Sequence, residues 1–300
     1  MDKTNWQRVA GSNVEGDRSN QLDQPTDVLI DKETDNLIIC DQGNRRVVRW
    51  SRRSGTTHGE TLIDNIRCWG LAMDDQRYLY ISDIEKHEVR RYQIGDKDGT
   101  IVAGGNGQGN GLNQLNWPTC IFVDQQQTVY VSDNNNHRVM KWNKGAKEGI
   151  VVAGGHGKGN APKQLWYPEG LFVDTLGTIY VADSWNNRVM RWPKREKEGI
   201  VIVGGNDKQD EDEDDEDEDE EDEEDEDEED EYDEDEDEED EYDEDEEDED
   251  DEDEDEDEED EHKEQRADQL NGPTGLSFDR HGNLYVVDQW NHRVQRFSIK

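Results

Sequence analysis

One short pattern recurs five times along the chain, and nothing else in the sequence restricts the fold as strongly. Pro118-Thr119-Cys120-Ile121-Phe122-Val123-Asp124 superposes on the segments at 168–174, 273–279 and 25–31. The segment Cys68-Trp69-Gly70-Leu71-Ala72-Met73-Asp74 is a copy without the proline. Each copy is followed by an apolar run ending in aspartate, at Asp41, Asp83, Asp133, Asp183 and Asp288. An Asn-x-Arg-Val turn and a third run come next, as in Arg138-Val139-Met140-Lys141-Trp142. A fourth run closes the unit, as in Gly149-Ile150-Val151-Val152-Ala153-Gly154-Gly155. The aspartates are spaced 42, 50, 50 and 105 residues apart, so the last gap is one period plus an insert.

The runs are rich in Val, Ile, Tyr and Trp and are bounded by Gly, Asn, Asp and Pro, which is the grammar of strands. Four strands per period of 40 to 50 residues describe the blade of a β-propeller. A single small sheet cannot bury both its faces, and stacking blades around an axis covers them. The expectation is an all-β propeller of five four-stranded blades, with six-bladed-type geometry an alternative. Trp6-Gln7-Arg8-Val9-Ala10-Gly11 reads as a fourth strand that would complete the last blade and lock the ring.

A formal net charge of −48 spread along a chain would keep it disordered, but here it is concentrated in one place. Residues 210–261 are all Asp or Glu except Tyr232 and Tyr242, and they hold 50 of the 81 acids. Outside that block 31 acids face 33 Lys and Arg, a net of +2. Residues 1–206 and 262–300 are therefore expected to form the propeller, and 207–261 a disordered acidic insertion in one inter-blade loop. Lengthening that loop from about 9 to about 64 residues adds only roughly 1.7 kcal/mol of closure entropy.

No apolar run is long enough to span a membrane, and the first residues show no apolar leader. Cys40, Cys68 and Cys120 are too far apart for a CxxC zinc site or a dense disulfide framework. A cytoplasmic, reducing setting is the resulting expectation.

Asp133-x-x-Asn136-x-Arg138-Val139, Asp183-x-x-Asn186-x-Arg188-Val189, Asp288-x-x-Asn291-x-Arg293-Val294 and Asp41-x-x-Asn44-x-Arg46-Val47 resemble NHL repeats. The second repeat departs, keeping Asp83 but carrying Lys86 and Glu88 where the others have Asn and Arg. The resemblance covers nearly everything outside the acidic block. It implies a propeller like those of TRIM-NHL proteins, usually six-bladed, here without the RING and B-box zinc domains. Members act as interaction modules in ubiquitin ligases, as binders of single-stranded RNA, or, in a related propeller, as a zinc-dependent lyase.

The Asp, Asn and Arg of each repeat are read as structural, pinning the turn between second and third strands and tying blades together. A catalytic site is usually made once, and these recur. His137 and His292 share a motif position with Arg45 and Asn187, which suggests a solvated turn rather than a metal site. The Gly-rich stretches at 104–109 and 154–159 lead to strands, not helices, and are read as inter-blade loops, not phosphate cradles. Trp50, Trp142 and Trp192 are expected to pack between blades. Basic loops after the third strands, such as Lys194-Arg195 with Lys197, are placed on one face.

No catalytic residue, metal or cofactor is assigned. The expected protein is a non-enzymatic monomeric scaffold that binds a protein partner, a basic one if the acidic loop takes part. Nucleic acid is disfavoured by the acidic block. A propeller lyase or hydrolase is the remote alternative.

Overall fold

Short apolar runs form the strands, the second strand of blades 1 to 4 being buried along nearly its whole length, and the Asp, Asn and Gly residues between them form the turns. The computed structural model describes residues 8–12, 14–52, 56–205 and 269–298. The acidic insertion lies outside the described residues, as do Trp6 and Gln7 of the expected N-terminal strand, while residues 8–11 are described and form no strand.

Five antiparallel sheets follow one another in chain order. Blade 1 holds β1 (Pro25–Asp31), β2 (Asn36–Asp41), β3 (Arg46–Ser51) and β4 (Glu60–Asp64). Blade 2 holds β5 (Cys68–Met73), β6 (Tyr78–Asp83), β7 (Glu88–Gln93) and β8 (Thr100–Gly104). Blade 3 holds β9 (Pro118–Val123), β10 (Val129–Asp133), β11 (Arg138–Trp142) and β12 (Ile150–Gly154). Blade 4 holds β13 (Pro168–Val173), β14 (Ile179–Asp183), β15 (Arg188–Trp192) and β16 (Ile200–Gly204). Blade 5 holds β17 (Pro273–Phe278), β18 (Asn283–Asp288) and β19 (Arg293–Ser298). The only helical elements among the described residues are 3-10 turns at Asn134–Asn136 and Ser184–Asn186.

First strands of successive blades pack against one another, from β1 to β17. The front face of each blade meets the rear face of the next. Tyr130, Val139 and Ala153 of blade 3 pack on Val181, Met190 and Trp192 of blade 4, and Tyr80, Val89 and Ala103 of blade 2 pack on Val131, Met140 and Trp142 of blade 3. Of the tryptophans ending the third strands, Trp142 and Trp192 are buried in these interfaces, while Trp50 is buried on the rear face of blade 1 beside Ala10 and Leu22.

The inner strands approach so closely that side chains must be absent at the crossing points. A Cβ on Gly70 would strike the Thr119 carbonyl, and one on Gly170 the Thr274 carbonyl. Only glycine permits this backbone approach.

Cys40 of blade 1 and Cys68 of blade 2 form a disulfide across their interface. Such a cross-link persists in oxidising surroundings, a different setting from the reducing one expected from the cysteine count. No helix among the described residues is long and apolar enough to cross a membrane.

Candidate active site at the propeller axis

The repeat residues singled out in the sequence come together, one set per blade. In blade 3 the Arg138 Nε donates to Asp133 Oδ2 at 2.6 Å, and Asn136 Nδ2 donates to the same oxygen at 2.8 Å. Asp133 Oδ1 accepts from the Asn116 backbone N–H at 2.7 Å. The other guanidinium nitrogens of Arg138 reach the carbonyls of Asn110, Gly111 and Gln114 in the incoming loop. Asp183, Asn186 and Arg188 repeat this arrangement in blade 4. Asp41, Asn44 and Arg46 do so in blade 1, and Asp288, Asn291 and Arg293 in blade 5.

Blade 2 differs as its sequence does. Asp83 accepts the backbone N–H groups of Glu85 and Lys86, while its Oδ2 is buried without a hydrogen-bond partner. Burial pushes the Asp83 carboxyl above the usual carboxylate range.

The position after each motif Asn, or after Lys86 in blade 2, is a turn, exposed at His292 and turned towards the next blade elsewhere. Arg45, His87, His137, Asn187 and His292 all have positive φ. Four of them bridge to the next blade: Arg45 donates to the Glu85 carboxylate of blade 2 at 2.7 Å, and the other three accept from backbone N–H groups. His87 Nδ1 accepts from the Trp117 N–H at 3.2 Å, His137 Nδ1 from the Tyr167 N–H at 3.3 Å, and Asn187 Oδ1 from the Gly272 N–H at 2.8 Å. Burial lowers the pKa of both histidines from 6.5, which favours the neutral, accepting ring. A base whose pKa is lower when folded resists protonation there, so stability is full above about pH 6.5 and is lost as pH falls below it. The variant His87→Asn with His137→Asn keeps an acceptor in each place, as Asn187 does. Denaturation midpoints measured from pH 8 to 5 should fall less steeply for it than for the parent chain, and an unchanged slope would refute the bridge.

At the axis stands a group that the repeat comparison passed over. The residue after the proline is Thr26, Thr119 and Thr274 in blades 1, 3 and 5, and Trp69 in blade 2, but Glu169 in blade 4. Its place at the start of β13 sends the carboxyl inward across the inner strands. Asn134 Nδ2 of blade 3 donates to Oε1 at 3.0 Å, and the Thr119 hydroxyl and the Trp69 side chain of blade 2 hydrogen-bond to the carboxyl as well. Burial outweighs these donors and pushes its pKa up to about 7. Two further titratable groups of the inner strands stand near it. Asp27 of blade 1, its carboxylate capped by the Leu71 N–H at 2.7 Å, is also raised by burial. The Cys120 thiol, pushed up to about 12 by burial and by the charges of Asp27 and Glu169, stays protonated near neutrality and is no nucleophile. Among the described residues no three His, Cys, Asp or Glu side chains gather as a metal would require.

Aromatic rings pair at the turns between blades. Trp69 and Trp117 meet edge to face with centroids 6.5 Å apart, and Trp185 lies 5.4 Å from Trp166 and 5.1 Å from Tyr167. The larger open cleft, about 1780 Å³, is built from the loops following first and third strands. It carries Lys194, Arg195 and Lys197, the basic loop expected on one face. Its carboxylates Asp124 and Asp174 are committed to turns, accepting the N–H groups of Gln126 and Thr128 and of Leu176 and Thr178, and its Glu196 is exposed. The Glu169 carboxyl, raised by burial, is not among the residues lining this cleft.

Comparison with known proteins agrees with the architecture. NHL repeats are recognised at residues 115–142, 165–191 and 270–297. No curated protein matches the chain in sequence. Among solved structures, a gluconolactonase from Xanthomonas campestris superposes with a TM-score of 0.53 at 14% identity, over 89% of this chain and 71% of that one. A putative gluconolactonase gives 0.57 at 10% identity, over 97% and 80%. An auxiliary nutrient binding protein from Bacteroides thetaiotaomicron gives 0.59 at 13% identity, over 92% and 59%. These likenesses are likenesses of fold. They nonetheless correct the expectation of a non-enzyme, which rested on the absence of any polar group made only once. Propellers of this shape include enzymes, and Glu169 is such a group. With the NHL repeat recognised in blades 3, 4 and 5 and the same Asp-Asn-Arg turn built in blades 1 and 4 alike, the chain is an NHL-repeat β-propeller.

Proposed function

We propose that the axial channel is a hydrolytic site in which Glu169 is the general base, acting on a small cyclic ester of the sugar-lactone class. The observation that carries this reading is a single carboxyl, contributed by blade 4, contacted by residues of blades 2 and 3, with a pKa of about 7. A base titrating near the working pH combines availability with driving force. In the reaction the ionised Glu169 takes a proton from water, the water oxygen attacks the ester carbonyl, and the ring oxygen leaves with a proton, giving the hydroxy acid. The names borne by two structural relatives support the substrate class. The test is turnover of a sugar lactone above its spontaneous opening, with the parent chain and Glu169→Gln. Equal rates for the two proteins would refute the role of Glu169.

A second reading, partner binding, is favoured by one observation. Trp185 and Trp290 are 62% and 67% exposed on the turns of blades 4 and 5. Exposed aromatic residues of this size are enriched at interfaces. Changing both to Ala should weaken partner capture at least tenfold while leaving the melting temperature in place, and unchanged capture would remove this surface from consideration.

A further inference from the structure

The turns after the first strands of blades 2 and 3 each send a side chain across to the blade before. Arg77 of blade 2 donates to Asp31 of blade 1, and Gln127 of blade 3 donates to Asp74 of blade 2. Both residues stand three positions after the aspartate that opens the turn, with φ of 65° and 59°. Gly177 of blade 4 and Gly282 of blade 5 hold the same position, with φ of 84° and 82°, and have no side chain to send.

The space between blades follows this difference. Between blades 2 and 3, where Gln127 reaches across, the cleft measures about 720 Å³. Between blades 3 and 4, where Gly177 stands, it measures about 1780 Å³ and runs on to Gly282 of blade 5. Matching positions of the repeat otherwise build both clefts: Tyr80 and Tyr130, Arg91 and Lys141, Trp142 and Trp192.

The wider cleft also differs in charge. His156, Lys163 and Arg195 stand where the narrower one has Asn106, Asn113 and Gly145. Lys163 is shared with Glu198 at 3.3 Å, while Lys194, Arg195 and Lys197 form no ion pair among the described residues. Glu196, in the place of Ala146, is the exposed acid beside them. Arg191 Nε is buried in the lining and donates to no acceptor among the described residues. A buried donor left in that state is costly until something supplies the acceptor. The apolar part of the lining is continuous. Phe122, Phe172 and Phe278 form a file of rings with centroids 5.6 and 4.9 Å apart, and Leu176 is 77% exposed beside them.

We propose that this cleft binds an amphipathic organic anion. Its flat apolar body rests on the phenylalanine file and Leu176, and its carboxylate, sulfate or sulfonate group meets Arg191, Lys194, Arg195 and Lys197. Concave sites of this kind take affinity from an apolar lining and orientation from a few charged groups. Anion binding here requires no activity at Glu169, which lies outside the lining.

The test is fluorescence titration of the full chain with anilinonaphthalene sulfonate and with phenylnaphthylamine, the same body without the charge. The sulfonate should bind saturably and at least about threefold more tightly than the neutral probe, an advantage that shrinks as salt is added. Lys163→Asn with Arg195→Gly brings in the residues of the narrower cleft. It should cut sulfonate affinity by about threefold to tenfold and leave phenylnaphthylamine binding in place. Both side chains are exposed, so the melting temperature should not move. Gly177→Gln copies Gln127, which already tolerates the positive φ of this turn. It should weaken both probes on the order of tenfold by covering the apolar lining. No saturable sulfonate binding, equal affinity of the parent chain for the two probes, or unchanged sulfonate affinity in the double variant would overturn the proposal. Unchanged binding in a folded Gly177→Gln protein would overturn it too. Should Gly177→Gln fail to fold, the double variant decides.

Discussion

Replacing Arg138 by Met is expected to destabilise the propeller by about 3–5 kcal/mol, the cost of leaving a buried carboxylate without its cation. Asp133 is fully buried and the Arg138 side chain is 8% exposed, so water does not substitute for the lost partner. The same change frees the three loop carbonyls that Arg138 holds. Removing the carboxylate as well, in Asp133→Asn with Arg138→Met, should recover part of the loss, because the uncompensated charge is gone. Arg293→Met in blade 5 should cost less, since that side chain is 32% exposed. Denaturant midpoints of the four proteins measure these differences. A loss under about 0.5 kcal/mol for Arg138→Met, the size of an ordinary surface change, would show that the motif does not tie the blades.

The second large effect concerns catalysis. Glu169→Gln keeps the shape and one hydrogen-bond acceptor but cannot take a proton, and the loss in turnover should be on the order of 10²- to 10⁴-fold. For the parent chain, turnover should rise with pH through about 7, the pKa to which burial brings Glu169. The same carboxyl has a linked effect on stability. Its folded pKa is raised above the ordinary 4.5, so its contribution is full below about 4.5 and is lost as pH rises towards about 7. Glu169→Gln should therefore be at least as stable as the parent at pH 8 while being inactive. A variant that loses activity only because it unfolds would show the opposite, a lower midpoint at pH 8.

Much of the fold is legible in the sequence because it is written five times. Each first strand, each motif aspartate and the glycine loops fall where the repeat places them. The candidate site is written once, as one residue that breaks the pattern. Glu169 against Thr26, Thr119 and Thr274 is visible as a departure, but its meaning depends on Trp69, Thr119 and Asn134, which lie up to 100 positions away. The bridging by His87 and His137 was hidden for a related reason. Their partners are backbone N–H groups 30 residues further on, and no side-chain pattern marks a backbone donor. The Cys40–Cys68 bond likewise needed two blades side by side.

By itself the sequence determined the local chemistry: strand alternation, turn residues, the motif that pairs Asp with Arg inside each blade, and the address of the negative charge. These are short-range matters, settled by steric preference and hydrogen bonding within about one repeat. Only the tertiary structure decided what happens where blades meet. Convergence of the inner strands partly buries a glutamate and raises its proton affinity, because desolvation depends on every neighbour at once and not on the order of residues along the chain.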